Sequence, residues 1–403
     1  MKMISGGVCA AKGFSASGIH CGIRKNRQQK DLALIFSEKK AAAAAVYTTN
    51  LVKGAPITVT KQHLADGYAQ AMICNSGNAN TCNANGIEIA EQTCALLAES
   101  LHIPAEDVIV ASTGVIGQPL EIAPFQQGIP ELVKALGPNS LDAAQGIMTT
   151  DLKVKEIAVS FQVGGVECHL GGIGKGSGMI HPNMATMLIF LTTDAAISPA
   201  LLQKALSEDV KSSFNMISVD GDTSTNDMVS IMANGLSGAP EIQAEGADYD
   251  AFCAALATVT KAISRMIAGD GEGASKLLEC QVKGAKDEAN AKIIAKAIIC
   301  SSLVKAAMFG SDANWGRVLC AIGYSGAEVD VMKVKVSFSS AKGSITVCEN
   351  GAGIPFSEEK AKEILLEKEI VIAVELGDGS GEAVAWGCDL TYDYVRINGD
   401  YRS

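Results

Sequence analysis

One stretch constrains this chain more than any other, the run from Gly171 to Leu191. Five of the eight residues in Gly171-Gly172-Ile173-Gly174-Lys175-Gly176-Ser177-Gly178 are glycine. His181-Pro182-Asn183-Met184-Ala185-Thr186 follows, and then an apolar run, Met187-Leu188-Ile189-Phe190-Leu191. The pattern predicts a flexible loop that delivers Thr186 to the mouth of a buried strand. A phosphate cradle does not fit. After Gly172 and Gly174, position 177 is Ser where a dinucleotide fingerprint needs Gly. Lys175 is followed by Gly176 rather than Ser or Thr, and position 169 is His, so the P-loop fails too.

Thr186 offers another chemistry. Cutting the Ala185–Thr186 bond frees an α-amine on the residue that carries the hydroxyl. Such an amine has a pKa of about 7.7 to 8.0, so it can take the hydroxyl proton without a histidine. That suits a chain with five His, namely His20, His63, His102, His169 and His181. There is no G-x-S-x-G elbow, no H-E-x-x-H and no C-x-x-C, so a Ser-His-Asp hydrolase, a zinc protease and a redox pair are unsupported. Threonines at strand starts are common, however, and the residues alone leave an inert Thr186 open.

Net charge is −11 with 19% charged residues, which argues against a nucleic-acid partner. The short basic run Arg24-Lys25-Asn26-Arg27 reads as a solvated loop. The 12 cysteines are scattered and read as small buried hydrophobes in a reducing compartment. No signal peptide or membrane span is expected, so a cytoplasmic protein with no membrane partner and no metal is predicted.

Strands are predicted at 32–37, 71–75, 108–112, 156–161, 166–170 and 187–191. Residues 113–117 are a turn. Helices are predicted at 86–101, with Ile87, Ile89, Ala90, Cys94 and Leu97 on the apolar side, and from Pro199 to about Phe214. Three more are predicted at 248–268, 287–309 and 356–368. The tail from Asp389 reads as polar. The fold class is α/β.

The block from Gly174 to Leu188 resembles the self-cleavage segment of the ArgJ family, ornithine acetyltransferases of which some are also glutamate N-acetyltransferases. So do Asn75–Asn80, Ser112–Gly117, Met148–Asp151, Ser218–Asp227, Gly269–Lys276, Gly310–Arg317 and Tyr401–Ser403. The blocks span the chain in the family's order. The resemblance implies a self-processing N-terminal-threonine fold of the DmpA/ArgJ type, strands sandwiched by helices. It implies cleavage into fragments 1–185 and 186–403 that intertwine in one catalytic unit, two copies of each.

By the same resemblance, Thr186 is the nucleophile, and Thr113 and Gly114 form the oxyanion hole. Thr149 or Thr150, Lys175, Thr186, Glu272, Asn398 and Ser403 bind substrate. Asn183 and Asp227 are weaker candidates for structural or cleavage support. The implied reaction takes an acetyl group from N2-acetylornithine and gives it to glutamate. No bound cofactor is implied, and acetyl-CoA is a candidate second donor. Two rival readings stand beside it: an N-terminal-threonine hydrolase that passes the acyl group to water, and a metabolite-binding α/β protein.

Overall fold

Apolar runs rich in β-branched residues form the strands, and alanine-rich stretches form the helices. The structure, a computed structural model, describes residues 1–25, 28–181 and 187–400. The described residues divide into two units, one within 1–176, 182–215 and 223–263, the other within 177–181, 216–222 and 264–403.

In the first unit the strands are β1 (Lys2–Ile4), β2 (Phe14–Ile19), β3 (Leu32–Tyr47), β4 (Tyr68–Asn75), β5 (Val108–Ser112), β6 (Lys155–Val163), β7 (Val166–Lys175) and β8 (Leu188–Thr193). The two-residue β9 (Ile217–Ser218) belongs to the second unit, and β10 (Met228–Ala233) completes the first. The sheet order is β1-β6-β7-β8-β10-β3-β4-β5, with β2 paired to β3. Strands β8 and β10 are parallel, Leu188 opposite Met228. Lys175 at the end of β7 also lies opposite Leu188.

Strand β3 changes register on β4, from Phe36 opposite Ala71 to Ala41 opposite Ala69. A bulge of this kind bends a strand. Ala41, Ala43 and Ala45 past the bulge share one core with Ile35 before it, and with Met72, Phe190 and Met228. The bend thereby brings the head of β10 within hydrogen-bonding reach of the end of β5, as Asn226 shows below. A second core joins Leu34, Ile73 and Val110 of β3, β4 and β5 to Val59, Ile89, Leu97, Phe125 and Leu132 of the helices Ala55–His63, Gly86–Leu101 and Ala123–Lys134.

In the second unit, β11 (Leu277–Ala285), β12 (Lys335–Ser340), β13 (Gly343–Glu349), β14 (Ala352–Gly353), β15 (Glu369–Glu375) and β16 (Gly381–Cys388) join β9 in the order β14-β13-β12-β15-β11-β16-β9. The helix Glu288–Cys300 covers β11 and β16 with Ile294, Ala295, Ile298 and Ile299.

The helix Gly86–Leu101 and the strand Val108–Ser112 form where the sequence predicts them. Several other expectations need correcting. The glycine run is strand through Lys175, not flexible loop. A Cβ at Gly171 would meet the Gly7 carbonyl oxygen at 1.8 Å, and one at Gly172 would meet Leu191 at 2.5 Å, so close packing explains these glycines. The helix expected over 287–309 is two, broken at Ser301, whose hydroxyl accepts from Val304 N and caps Ser302–Phe309. The helix from Pro199 ends at Asp209, and the charged helix spans Glu358–Leu365. The polar tail contains a helix, Tyr392–Gly399, capped by the Thr391 hydroxyl.

Ile87, expected on the buried side, is 47% exposed, and two of the cysteines, Cys82 and Cys320, are exposed. All twelve are free thiols. The 22-residue helix Ala247–Ala268 is long and apolar enough for a membrane span, although no span is expected from the sequence. Phe252, Leu256, Val259 and Ile263 on it are fully buried, and the Phe252 ring packs tilted against Phe161 of β6, as in a core helix.

Candidate active site

In the first unit, polar groups gather where β5, β7 and β10 expose their ends. Thr113 leaves β5 with its N–H donating to Asn75 O at 2.9 Å. Lys175 is buried, and its Nζ reaches Thr113 Oγ1 at 3.5 Å. A hydroxyl that accepts from an ammonium keeps its own O–H to donate. Gly114 has φ +126, and a Cβ there would lie 2.8 Å from Asn78 N and Gly77 C. Only glycine suits that backbone and that spacing. The neighbouring turn is pinned by Asn75, whose Oδ1 accepts from Gly77 N and Asn78 N and whose Nδ2 donates to Ser112 Oγ.

Behind Lys175 sits Asp151. It accepts from Lys155 Nζ and Gly176 N, both at 2.7 Å, and from Thr149 N at 3.0 Å. Burial works to raise its pKa, but Lys175, Lys155 and these hydrogen bonds outweigh it and hold the carboxyl at about 2. Thr149 and Thr150 are both half-buried in this turn, and the geometry does not choose between them.

Asp227, one residue before β10, is the opposite case. Burial pushes its pKa well above the usual carboxylate value, against the pull of Ser224 and Lys175. Its Oδ2 has no hydrogen-bond partner among the described residues. Met228 N donates to Met187 O at 2.9 Å, which fixes Met187 beside the head of β10.

In the second unit, Glu272 is buried, and its Oε2 accepts from Asn398 Nδ2 at 2.8 Å. Its N–H donates to Ser177 O at 3.0 Å. A Cβ on Gly178 would lie 2.5 Å from the Glu272 carboxylate, so that glycine makes room for it. Asn398 is held by its helix, which Thr391 ties to Gly273 O at 2.7 Å and Tyr394 ties to Asp220 at 3.3 Å. Asp220 also accepts from Met179 N and Ile180 N. His181 Nδ1 lies 3.2 Å from Ser218 Oγ and 3.5 Å from Cys300 Sγ. Burial, helped by Lys296, pulls its pKa down to about 4, so the imidazole is neutral.

The structure thus brings Thr113, Gly114 and Lys175 together in one unit, with Thr149 tied by its N–H to Asp151, which sits in the field of Lys175, and Thr150 next to it in the same turn. It brings Glu272 and Asn398 together in the other. Ala185, Thr186 and Ser403, and the weaker candidate Asn183, lie outside the described residues. Sequence reasoning gave no role to Asp151, Lys155 or Asn226. Asp151 is visible only as the last residue of a resembling block, and no local pattern announces that it pairs with Lys155 in the field of Lys175. Among the described residues, no group of three or more His, Cys, Asp or Glu side chains is placed to hold a metal ion.

Fold and site together describe a mixed α/β enzyme whose polar machinery sits at strand ends. The chain belongs to the ArgJ family, which it matches over residues 15–403. It is 51% identical over 405 residues to the arginine biosynthesis bifunctional protein ArgJ of Caldanaerobacter subterraneus subsp. tengcongensis, with both chains fully covered. The crystal structure of the Bacillus halodurans arginine biosynthesis bifunctional protein ArgJ is 47% identical with a TM-score of 0.50, covering 98% of that chain and 53% of this one. An ornithine acetyltransferase from Mycobacterium tuberculosis, solved with ornithine, is 33% identical, covering 99% of that chain and 46% of this one at a TM-score of 0.41.

Proposed function

We propose that the chain cuts itself between Ala185 and Thr186 and then works as an acetyltransferase of arginine biosynthesis. The observation that carries the reading is the Lys175–Thr113 pair. Lys175 stands opposite Leu188, two residues beyond Thr186, and touches the hydroxyl at the end of β5. A cation and two oxyanion donors, Thr113 O–H and Gly114 N–H, at the head of a nucleophile strand suit attack on a carbonyl. The full-length relatives named arginine biosynthesis bifunctional proteins support the pathway.

Self-cleavage begins when Thr186 Oγ attacks the Ala185 carbonyl. The C–N bond breaks and leaves an ester, which water hydrolyses. The freed α-amine then takes the hydroxyl proton while Oγ attacks the acetyl group of N2-acetylornithine. Ornithine leaves as its amine is protonated. The amine of glutamate attacks acetyl-Thr186, giving N-acetylglutamate and restoring the hydroxyl. Lys175 holds a carboxylate or keeps the Thr186 amine neutral. Glu272 pairs with a substrate ammonium, and Asn398 and Ser403 add neutral hydrogen bonds. Thr149 or Thr150 adds another. The fragments work as two copies of each in the cytoplasm, with no bound cofactor and with acetyl-CoA as a second donor.

The test is to incubate the enzyme with N-acetylornithine, with and without glutamate. Glutamate-dependent ornithine release with one N-acetylglutamate per ornithine is expected. Acetate release at the same rate without glutamate would show a hydrolase instead. Acetyl-CoA in place of N-acetylornithine tests the second donor.

A further inference from the structure

We infer that Asn226 is a positioning residue for acetyl transfer, the joint that holds the oxyanion-hole segment Ser112-Thr113-Gly114 against the head of β10. The inference rests on the acetyltransferase reading above and deepens it.

Asn226 is buried, and its amide is fully used. Nδ2 donates to Ser112 O at 3.0 Å and to Ala79 O at 2.5 Å. Oδ1 accepts from Thr81 Oγ1 and Thr225 Oγ1, both at 2.6 Å. Two donors and two lone pairs are the whole capacity of an amide. Carbonyl oxygens only accept, so the NH2 must face Ser112 and Ala79, and the orientation of the group is fixed by chemistry. The packing agrees: a Cβ on Gly54 would lie 2.5 Å from Asn226 Nδ2, so the chain keeps a glycine there.

What the bonds connect gives Asn226 its role. Ser112 is the last residue of β5, and Thr113 and Gly114 follow it directly. Ala79 belongs to the turn against which Gly114 packs, and its N–H donates to Val115 O at 3.0 Å. One side chain therefore grips both the oxyanion-hole segment and the turn against which Gly114 packs. Its own backbone lies two residues before Met228, and Thr186 lies two residues before Leu188, the residue opposite Met228 in the parallel pair. Asn226 thus sets the end of β5 against the strand that runs in register with the nucleophile strand.

Oxyanion donors act only within about 2.7 to 3.1 Å of the developing charge. A displacement of about 1 Å costs roughly 100-fold. Loss of the Asn226 amide donors should therefore weaken the transition state without weakening substrate binding.

The experiment is a double-mutant cycle on glutamate-dependent ornithine release with Asn226→Asp, Thr113→Ala and both together. Asn226→Asp keeps the shape but carries at most one donor, so it loses the bond to Ser112 O, to Ala79 O or to both. We expect kcat to fall roughly 10- to 100-fold with KM within about twofold. We expect the double variant to lose clearly less than the product of the two single losses, because Thr113→Ala has already removed one of the two donors that Asn226 positions and leaves only Gly114 N–H to be misplaced. Multiplicative losses, or a raised KM at unchanged kcat, would overturn the assignment. Should Asn226→Asp fail to fold, Thr81→Val loosens Asn226 by removing one hydroxyl donor. A smaller kcat loss with the same non-additivity is expected there, and unchanged kcat counts against the joint. A wild-type enzyme that transfers no acetyl group overturns the function as well, whereas an active wild type with multiplicative losses overturns only the role of Asn226.

Discussion

Asp227 and Thr113 show two ways a single residue serves this site. Asp227 is fully buried with one oxygen unpartnered, and burial holds its pKa above the ordinary 3.8. The folded state then keeps a proton that the unfolded state has lost above about pH 3.8, so stability falls as pH rises through the folded pKa. Asp227→Asn removes that penalty. The variant should melt higher than the wild type at pH 7, and the gap should close near pH 3. An equal or lower Tm at pH 7 would contradict the assignment of a buried, raised carboxyl. Thr113→Ala removes one oxyanion donor and should lower kcat by about 100- to 1000-fold, with the far-UV spectrum unchanged. Kinetics like those of the wild type would reject Thr113 as a donor. Thr113 is legible in the sequence only through its family block, since Thr113-Gly114 alone reads as a turn. Asp227 is the weaker candidate of its family block, and its burial depends on contacts distant in sequence, which no local pattern carries.

Elements show why some of the fold could be read and some could not. The helix Gly86–Leu101 carries a regular apolar stripe, and the strand Val108–Ser112 is a short apolar run with turn residues after it, so both are legible. The Gly171–Lys175 segment misleads because glycine signals freedom when read alone, while here it answers to Gly7 and Leu191 packed across it. The break at Ser301 is a serine acting as a cap inside an apolar run, and hydrophobic periodicity does not register it. Gly178 follows the same logic as Gly171. Its missing Cβ leaves room for the Glu272 carboxylate, the movable end of a side chain. Gly178→Ala should therefore displace Glu272 at little cost in stability. KM for N-acetylornithine should rise several-fold while Tm stays within a few degrees, and an unchanged KM would remove Glu272 from substrate binding.

At the scale of the molecule, the order of strands in the first unit bears on what self-cleavage would leave. Strands β8 and β10, after residue 186, lie between β7 and β3, which precede residue 185. Their backbones pair on both sides, Leu188 with Lys175 and Met228 with Tyr47. Fragments cut at 185–186 would share one sheet and one core, so neither could leave without exposing unpaired strand edges. Two bands on a denaturing gel should coelute as one species in native size-exclusion chromatography. Fragments that separate under native conditions would contradict this arrangement.

Every step of the proposed chemistry passes through one bond and one hydroxyl. Intact-mass spectrometry of the purified protein, before and after N-acetylornithine, reads both. The account predicts two fragments meeting at Ala185–Thr186, with an acetyl mass gained by the fragment that begins at Thr186, and neither change in Thr186→Ala. A single uncut chain, or a Thr186→Ala variant that still cleaves and transfers, would contradict it.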